Sequence, residues 1–219
     1  MALELILTFH GLGEPPDTVT EGERKVWVPV EWFEAIVATL PRAGVALAFD
    51  DGNDSDLQHA LPTLLRFGMT ARFFPLVGRI DANGYLSAEA ILELSAAGMR
   101  IGSHGLHHRD WRKLDDEELR AELLTPREQL SRIIGSEITE AACPFGSYDR
   151  RVLRALRAAG YRRTFNSDGG TASAGSWLSP RTSVHRELPL QHWLDLAAAG
   201  AAGRPSLAES GKRLVKRLR

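Results

Sequence analysis

A chain of 219 residues fits one α/β domain or two very small ones. Its 27 Lys+Arg against 28 Asp+Glu leave a formal charge of −1, so no global basic excess exists to neutralise phosphates, which removes the electrostatic argument for a nucleic-acid binder, and no nucleic-acid partner is expected. Apolar residues make up 43%, which excludes disorder as the dominant state, and the lone Cys143 excludes a disulfide framework or a cysteine-rich zinc module. No apolar run approaches the ~18 residues of a membrane span, and residues 1–9 carry Glu4 and no basic start, unlike a signal peptide. The expectation is a cytoplasmic single domain over residues 1–210, followed by a basic tail over 211–219.

In chain order, strand-like stretches alternate with helical ones. Residues 3–9 have strand composition and end at His10-Gly11. Residues 31–40 read as a helix ahead of Pro41. Residues 45–49 are short and wholly apolar, as in a strand buried on both faces. Residues 56–67 read as a helix that Pro62 bends or divides, stopping at Gly68. A strand over 71–77 precedes a helix over 88–97, with Ser87 as N-cap and Gly98 as the stop. A strand over 99–102 comes next. Residues 115–134 open with acids that suit a helix N-terminus, and Pro126 leaves one kinked helix or two as alternatives. Strands over 141–144, 161–166 and 182–185 and helices over 149–159 and 190–199 complete the pattern. Such alternation, repeated about six or seven times, predicts an α/β fold with a parallel sheet. A closed (β/α) barrel is favoured over an open sheet, because the chemistry-bearing residues come from many strands and not from one switch point.

Four polar clusters fall where strands end: His10, Asp50-Asp51-Gly52, Ser103-His104-Gly105-Leu106-His107-His108, and Pro144-Phe145-Gly146-Ser147. In a closed barrel these ends share one mouth. Asp50 and Asp51 are adjacent, so on an extended strand they point apart, one free to ligate a metal and the other to accept a proton. Asp-Asp-Gly-Asn is also ordinary turn chemistry. His104 and His108 are four apart, which a helical turn would place on one face at chelating separation, with His107 as a rival. One Asp with two His leaves positions open for water, as hydrolytic metal catalysis requires.

Ala48-Phe49-Asp50-Asp51-Gly52, Gly102-Ser103-His104-Gly105-Leu106-His107-His108 and Pro144-Phe145-Gly146 resemble, in order and spacing, the first three motifs of the polysaccharide deacetylases (NodB homology, carbohydrate esterase family 4). The resemblance implies an α/β fold, a distorted (β/α) barrel with about seven parallel strands, Asp50 as general base, Asp51, His104 and His108 as metal ligands, and the Phe145 backbone N–H as oxyanion donor. Departures are Ala48 where the family often has Thr, Gly105 where it often has Ser or Thr, and Ala142 where a base-pairing Arg is usual. Thr182-Ser183-Val184-His185 matches the family's late His motif only loosely. Leu7-Thr8-Phe9-His10 resembles the early motif of the exopolysaccharide deacetylase branch acting on poly-β-1,6-N-acetylglucosamine, in which an N-terminal His replaces the late acid. His10 is therefore the expected catalytic acid, with His185, beside the cation Arg186, as the alternative.

Pro144, Gly146, Asp168 and Arg181 are the candidate substrate-side residues. A turn is the competing reading for Asp168, and for Arg181 a surface salt bridge is expected ahead of service as the guanidinium missing at position 142. The resemblance implies an N-deacetylase of an amino sugar with one divalent metal, zinc first and Co, Ni or Fe as alternatives. The rivals are a deacylase of a non-carbohydrate C–N bond and an inactive glycan-binding module. The tail, with Lys212, Arg213, Lys216, Arg217 and Arg219 and no acid, is expected to be a solvated end, a short amphipathic helix on an anionic membrane being the alternative.

Overall fold

A computed structural model describes residues 3–17, 19–40 and 44–201; the basic tail lies outside the described residues. Strand β1 (Leu3–Phe9) opens the fold. An insertion follows, made of β2 (Gly11–Leu12), the single turn α1 (Glu21–Arg24) and β3 (Trp27–Val28), with β2 and β3 paired in parallel. Helix α2 (Val30–Thr39) leads to β4 (Val45–Asp51). A π-helical turn (Asp56–Ala60) then runs into α3 (Leu61–Arg66). Pro62 falls in the first turn of α3, where its missing N–H has no intrahelical partner to lose, so it marks a helix start and not a break.

The chain continues with β5 (Ala71–Pro75), α4 (Ala88–Ala96) and β6 (Arg100–Ile101). Ser87 caps α4 as expected, its side chain accepting from Ala90 N. Helix α5 (Asp116–Ile134) is one helix that carries Pro126 inside it; Asp115 and Glu118 form its capping box, and Gly135 ends it in the left-handed region. Then come β7 (Glu140–Ala142), α6 (Arg150–Ala158), β8 (Arg163–Asn166), β9 (Thr171–Ser173), β10 (Leu178–Pro180), β11 (Thr182–Ser183) and α7 (Leu190–Ala201). Strands β2, β3, β9 and β10 had no counterpart in the sequence pattern, because two or three residues carry no readable alternation.

The main sheet has the order β11-β1-β4-β5-β6, with β9 antiparallel on β1, and a second sheet has the order β10-β8-β7. A parallel bridge between Ser103 and Ala141 joins them on one side. On the other side a single segment does the joining. Its first half, β10, pairs with β8, its second half, β11, pairs with β1, and Arg181 stands between. Counted with that interrupted segment as one stave, the ring has seven parallel staves. The fold is α/β, a distorted (β/α) barrel.

Period-two alternation sorts the side chains of each stave. Outward residues such as Phe9, Phe49 and Phe73 stack on one another at 5.5 and 4.7 Å and meet Phe33 of α2. Inward, Ile6, Ala48, Phe74, Ala142 and Phe165 form a separate small core inside the ring. One side of that layer is ionic: Arg72 with Glu140, and Arg163 with Glu4, both guanidiniums lying against Phe165. The other side carries Arg181, 5.2 Å above the Phe74 ring, and Asp50. The barrel interior is therefore packed, which leaves its carboxyl end as the place for chemistry in such a fold.

Candidate active site at the barrel mouth

The carboxyl ends of the staves deliver His10, Asp50, Asp51, His104, His108, Cys143, Phe145, Ser167 and Ser183 to one cleft of about 600 Å³. The insertion after β1 supplies its remaining wall through Thr20, Gly22, Glu23 and Val26. Among the described residues, four non-glycines have positive φ, and three of them, Asp51 (75°), His108 (53°) and Phe145 (56°), line this cleft. Backbone held in that region is strained and persists only where its surroundings over-determine it. At Asp51 the strain has a visible result. Adjacent residues of a strand point apart, yet Asp51 and Asp50 face the same cleft.

Asp51 Oδ1 lies 3.6 Å from His104 Nε2 and 3.7 Å from His108 Nε2. It is buried and accepts no hydrogen bond. The three donor atoms all lie within 4.8 Å of one another. His104 Nδ1 is 3.0 Å from the Ala142 carbonyl, which can only accept, so the proton sits on Nδ1 and the Nε2 lone pair faces Asp51. Burial pushes the His104 imidazolium pKa down to about 4, against the pull of Asp50 and Asp51. A neutral imidazole and a carboxylate oxygen without a donor are what a divalent cation requires.

The four-residue spacing of His104 and His108 is not realised by a helical turn. Residues 103–110 hold no helix; Gly105 (φ 92°) and His108 bend the chain so that the rings meet at 5.2 Å. Glu122 of α5, buried, accepts from Leu106 N at 2.8 Å and from His107 N at 3.2 Å. A Cβ at Gly105 would stand 2.8 Å from Glu122 Oε2 and 3.2 Å from Trp111, which accounts for glycine there. His107, the rival ligand, is exposed and lies outside the three-donor set.

Arg181 corrects the expectation of a surface salt bridge or a substrate contact. It is wholly buried, and its Nη1 and Nη2 donate to Asp50 Oδ1 and Oδ2 at 2.6 and 2.7 Å. Ala142, where a family arginine is usual, is buried in the inner core, and the guanidinium comes from the closing segment instead. Burial by itself would raise the Asp50 carboxyl; the charge of Arg181, helped by its two hydrogen bonds, holds it well below the usual carboxylate range.

Asp168 is a turn residue, not a wall of the cleft. Its Oδ2 accepts from Tyr148 Oη at 2.7 Å, and its N–H donates to Asn166 Oδ1; its neighbour Ser167 faces the cleft. Pro144 and Gly146 are buried behind the loop and shape its turn, while Cys143 and Phe145 line the cleft. A Cβ at Gly146 (φ 59°) would meet Ser167 N at 2.6 Å, so the loops after β7 and β8 are in contact. The Phe145 ring is exposed and sits 4.3 Å from the His108 ring.

His10 lines the cleft with its Nδ1 buried and without a hydrogen-bond partner. The loop after Asp51 braces the chain at His10 and just after it: Asn53 Nδ2 donates to His10 O at 2.8 Å, and Leu12 N donates to Ser55 Oγ at 3.1 Å. His185 is elsewhere, packed edge-on against Trp193 at 5.1 Å with its Nδ1 3.9 Å from Glu187. Ser167 and the insertion residues carry no motif signal, while Cys143 and Ser183 stand inside motif stretches that assign them no role. The period of two does reach Ser183, two positions beyond Arg181.

The fold and mouth define a polysaccharide deacetylase domain. The polysaccharide deacetylase family profile matches residues 38–164, more than half of the chain, and the chain belongs to that family. His10 and Arg181 both lie outside the matched stretch. The peptidoglycan-N-acetylglucosamine deacetylase of Bacillus cereus is 29% identical over 137 residues, covering 60% of this chain and 48% of that protein. The chain spans about half the length of the curated relatives it matches. Among solved structures, the Streptococcus pyogenes deacetylase PplD in complex with acetate aligns with TM-score 0.76 at 17% identity, over 88% of this chain and 97% of that one. IcaB from Ammonifex degensii aligns with TM-score 0.74 at 19% identity, over 92% and 98%. These two likenesses establish a common fold.

Proposed function

We propose that the protein is a metal-dependent hydrolase that removes N-acetyl groups from an amino sugar in a glycan or glycan precursor. One observation carries this reading: a second carboxylate, Asp50, kept ionised by Arg181, stands 3.8 Å from His104 beside the Asp51–His104–His108 donor set. A divalent ion held by that set, zinc first on ligand chemistry and Co, Ni or Fe as alternatives, would polarise the acetyl carbonyl and acidify a water. Asp50 takes the attacking water's proton, and Arg181 keeps its carboxylate aimed and charged. The Phe145 backbone N–H donates to the oxyanion that develops on the acetyl oxygen. His10 delivers a proton to the departing amine, which leaves poorly without one. His10 is preferred to His185 because it lines the cleft and His185 does not.

The Bacillus cereus relative, named for N-acetylglucosamine in peptidoglycan, supports an amino-sugar substrate over another amide. The early Leu7-Thr8-Phe9-His10 motif supports the poly-N-acetylglucosamine branch. The test is acetate release from a panel of N-acetylated oligosaccharides by the metal-loaded protein. Release that stops on chelation and in Asp50→Asn supports the reading. A folded, metal-loaded protein inert on the whole panel overturns it.

A further inference from the structure

Outside the cleft, one flank of α6 carries a row of arginines that the reaction does not use. Arg150, Arg154 and Arg157 follow one another at spacings of four and three, so they share a helix face, and all three are exposed. Helix α6 holds no acid, and among the described residues none of the three forms an ion pair. Arg151, by contrast, is tied to Asp116 at 2.8 Å and to the Leu114 carbonyl at 2.7 Å. The row borders a groove of about 480 Å³ between α6 and the stretch leading into β10, walled by Leu153, Ser176 and Trp177. The Arg157 guanidinium lies 4.3 Å from the centroid of the Trp177 ring, and Trp177 is pinned by its Nε1–H donating to Tyr161 O at 3.1 Å. Stacking of this kind fixes the guanidinium plane and leaves its N–H edges for an oxyanion.

We propose that this groove docks an anionic stretch of a glycan chain, one bearing carboxylate or phosphate groups, alongside the catalytic mouth. Charge complementarity selects an anion. The shape selects a linear chain: at ~1.5 Å rise per residue the cations form a row about 10 Å long, set in a concavity. The upper end of the row, Arg150, comes five residues after Phe145 of the cleft, so a chain lying along it runs toward the mouth. A membrane surface fits less well. The large apolar side chains exposed among the described residues are Leu65, Phe67, Leu92 and Phe145, none of them on this flank, so nothing here would anchor in lipid. The choice of a glycan rests on the deacetylase reading, but the binding does not depend on catalysis.

Binding of polygalacturonate oligomers, with a neutral chitin oligomer of matching length as control and anionic phospholipid vesicles as a separate arm, tests this across a salt series. Wild type is compared with the triple variant Arg150→Gln, Arg154→Gln, Arg157→Gln, whose sites are all exposed. The polygalacturonate oligomer should bind more tightly than the neutral one and weaken as salt rises. The triple variant should lose about tenfold in affinity while its hydrolysis of a small soluble substrate is unchanged. Equal binding by variant and wild type, or a wild-type preference for vesicles over the oligomer, overturns the proposal. Charge-dependent binding that persists in a protein unable to deacetylate any sugar would refute the deacetylase reading and leave the groove standing.

Discussion

Arg181 and Asp50, 131 residues apart in sequence, meet inside the barrel in a two-pronged pair with both carboxylate oxygens engaged at 2.6 and 2.7 Å. Breaking such a buried pair by removing one partner strands a charge and costs about 3–5 kcal/mol. In Arg181→Met the burial of Asp50 is no longer opposed by the guanidinium, so its carboxyl titrates at higher pH and the acid limb of the pH–rate profile should move upward. The stability consequence has a definite sign. Asp50 has its folded-state pKa depressed, so its contribution is present above the ordinary carboxylate range and is lost as pH falls below about 4. Denaturant titrations from pH 7 to pH 3 should show a steeper acid loss in wild type than in Arg181→Met. Parallel pH–stability curves would remove the pair from this role.

For Asp50 itself, Asn preserves shape but cannot take a proton. Turnover in Asp50→Asn should fall by roughly 10²–10⁴-fold with metal still bound. Near-normal turnover on a verified substrate would assign the base elsewhere.

The donor set predicts a metal stoichiometry. Wild type should hold one divalent ion per chain, and His104→Ala should lose most of it, read by elemental analysis of dialysed protein. Full retention in that variant would disprove the assignment of Asp51, His104 and His108.

Glu122 reaches the same site from behind, by fixing the loop between the two histidines. Glu122→Ala leaves the Leu106 and His107 N–H groups without their acceptor, at about 1–3 kcal/mol for each that stays buried. Metal affinity should weaken by about 10–100-fold, as for other groups that orient ligands. An unchanged affinity in a competition titration would show that the loop holds its shape without Glu122.

His10→Ala and His185→Ala, both folded and metal-loaded, separate the two candidate acids. Loss of turnover is expected in the first and near-normal turnover in the second. The reverse result would move the acid to His185, outside the cleft described here.

Sequence alone determined the alternation of strands and helices and the clusters at their ends, because hydrophobic period, caps and motif spacing are local properties. Asp50, Asp51, His104 and His108 were legible for that reason, and so was His10, two positions beyond the inward-facing Thr8 of a regular strand. How the two histidines meet was not. A four-residue spacing is compatible with a helical turn and with a left-handed loop, and the choice fell to Glu122 and Trp111, which pack against Gly105 from α5 and the loop before it. The same holds for Arg181. Residues 178–183 are too short on each side to carry a pattern, and their inward facing comes from pairing first with β8 and then with β1. Register with distant strands, and not local composition, aims that guanidinium at Asp50. Only closure of the barrel makes the pair.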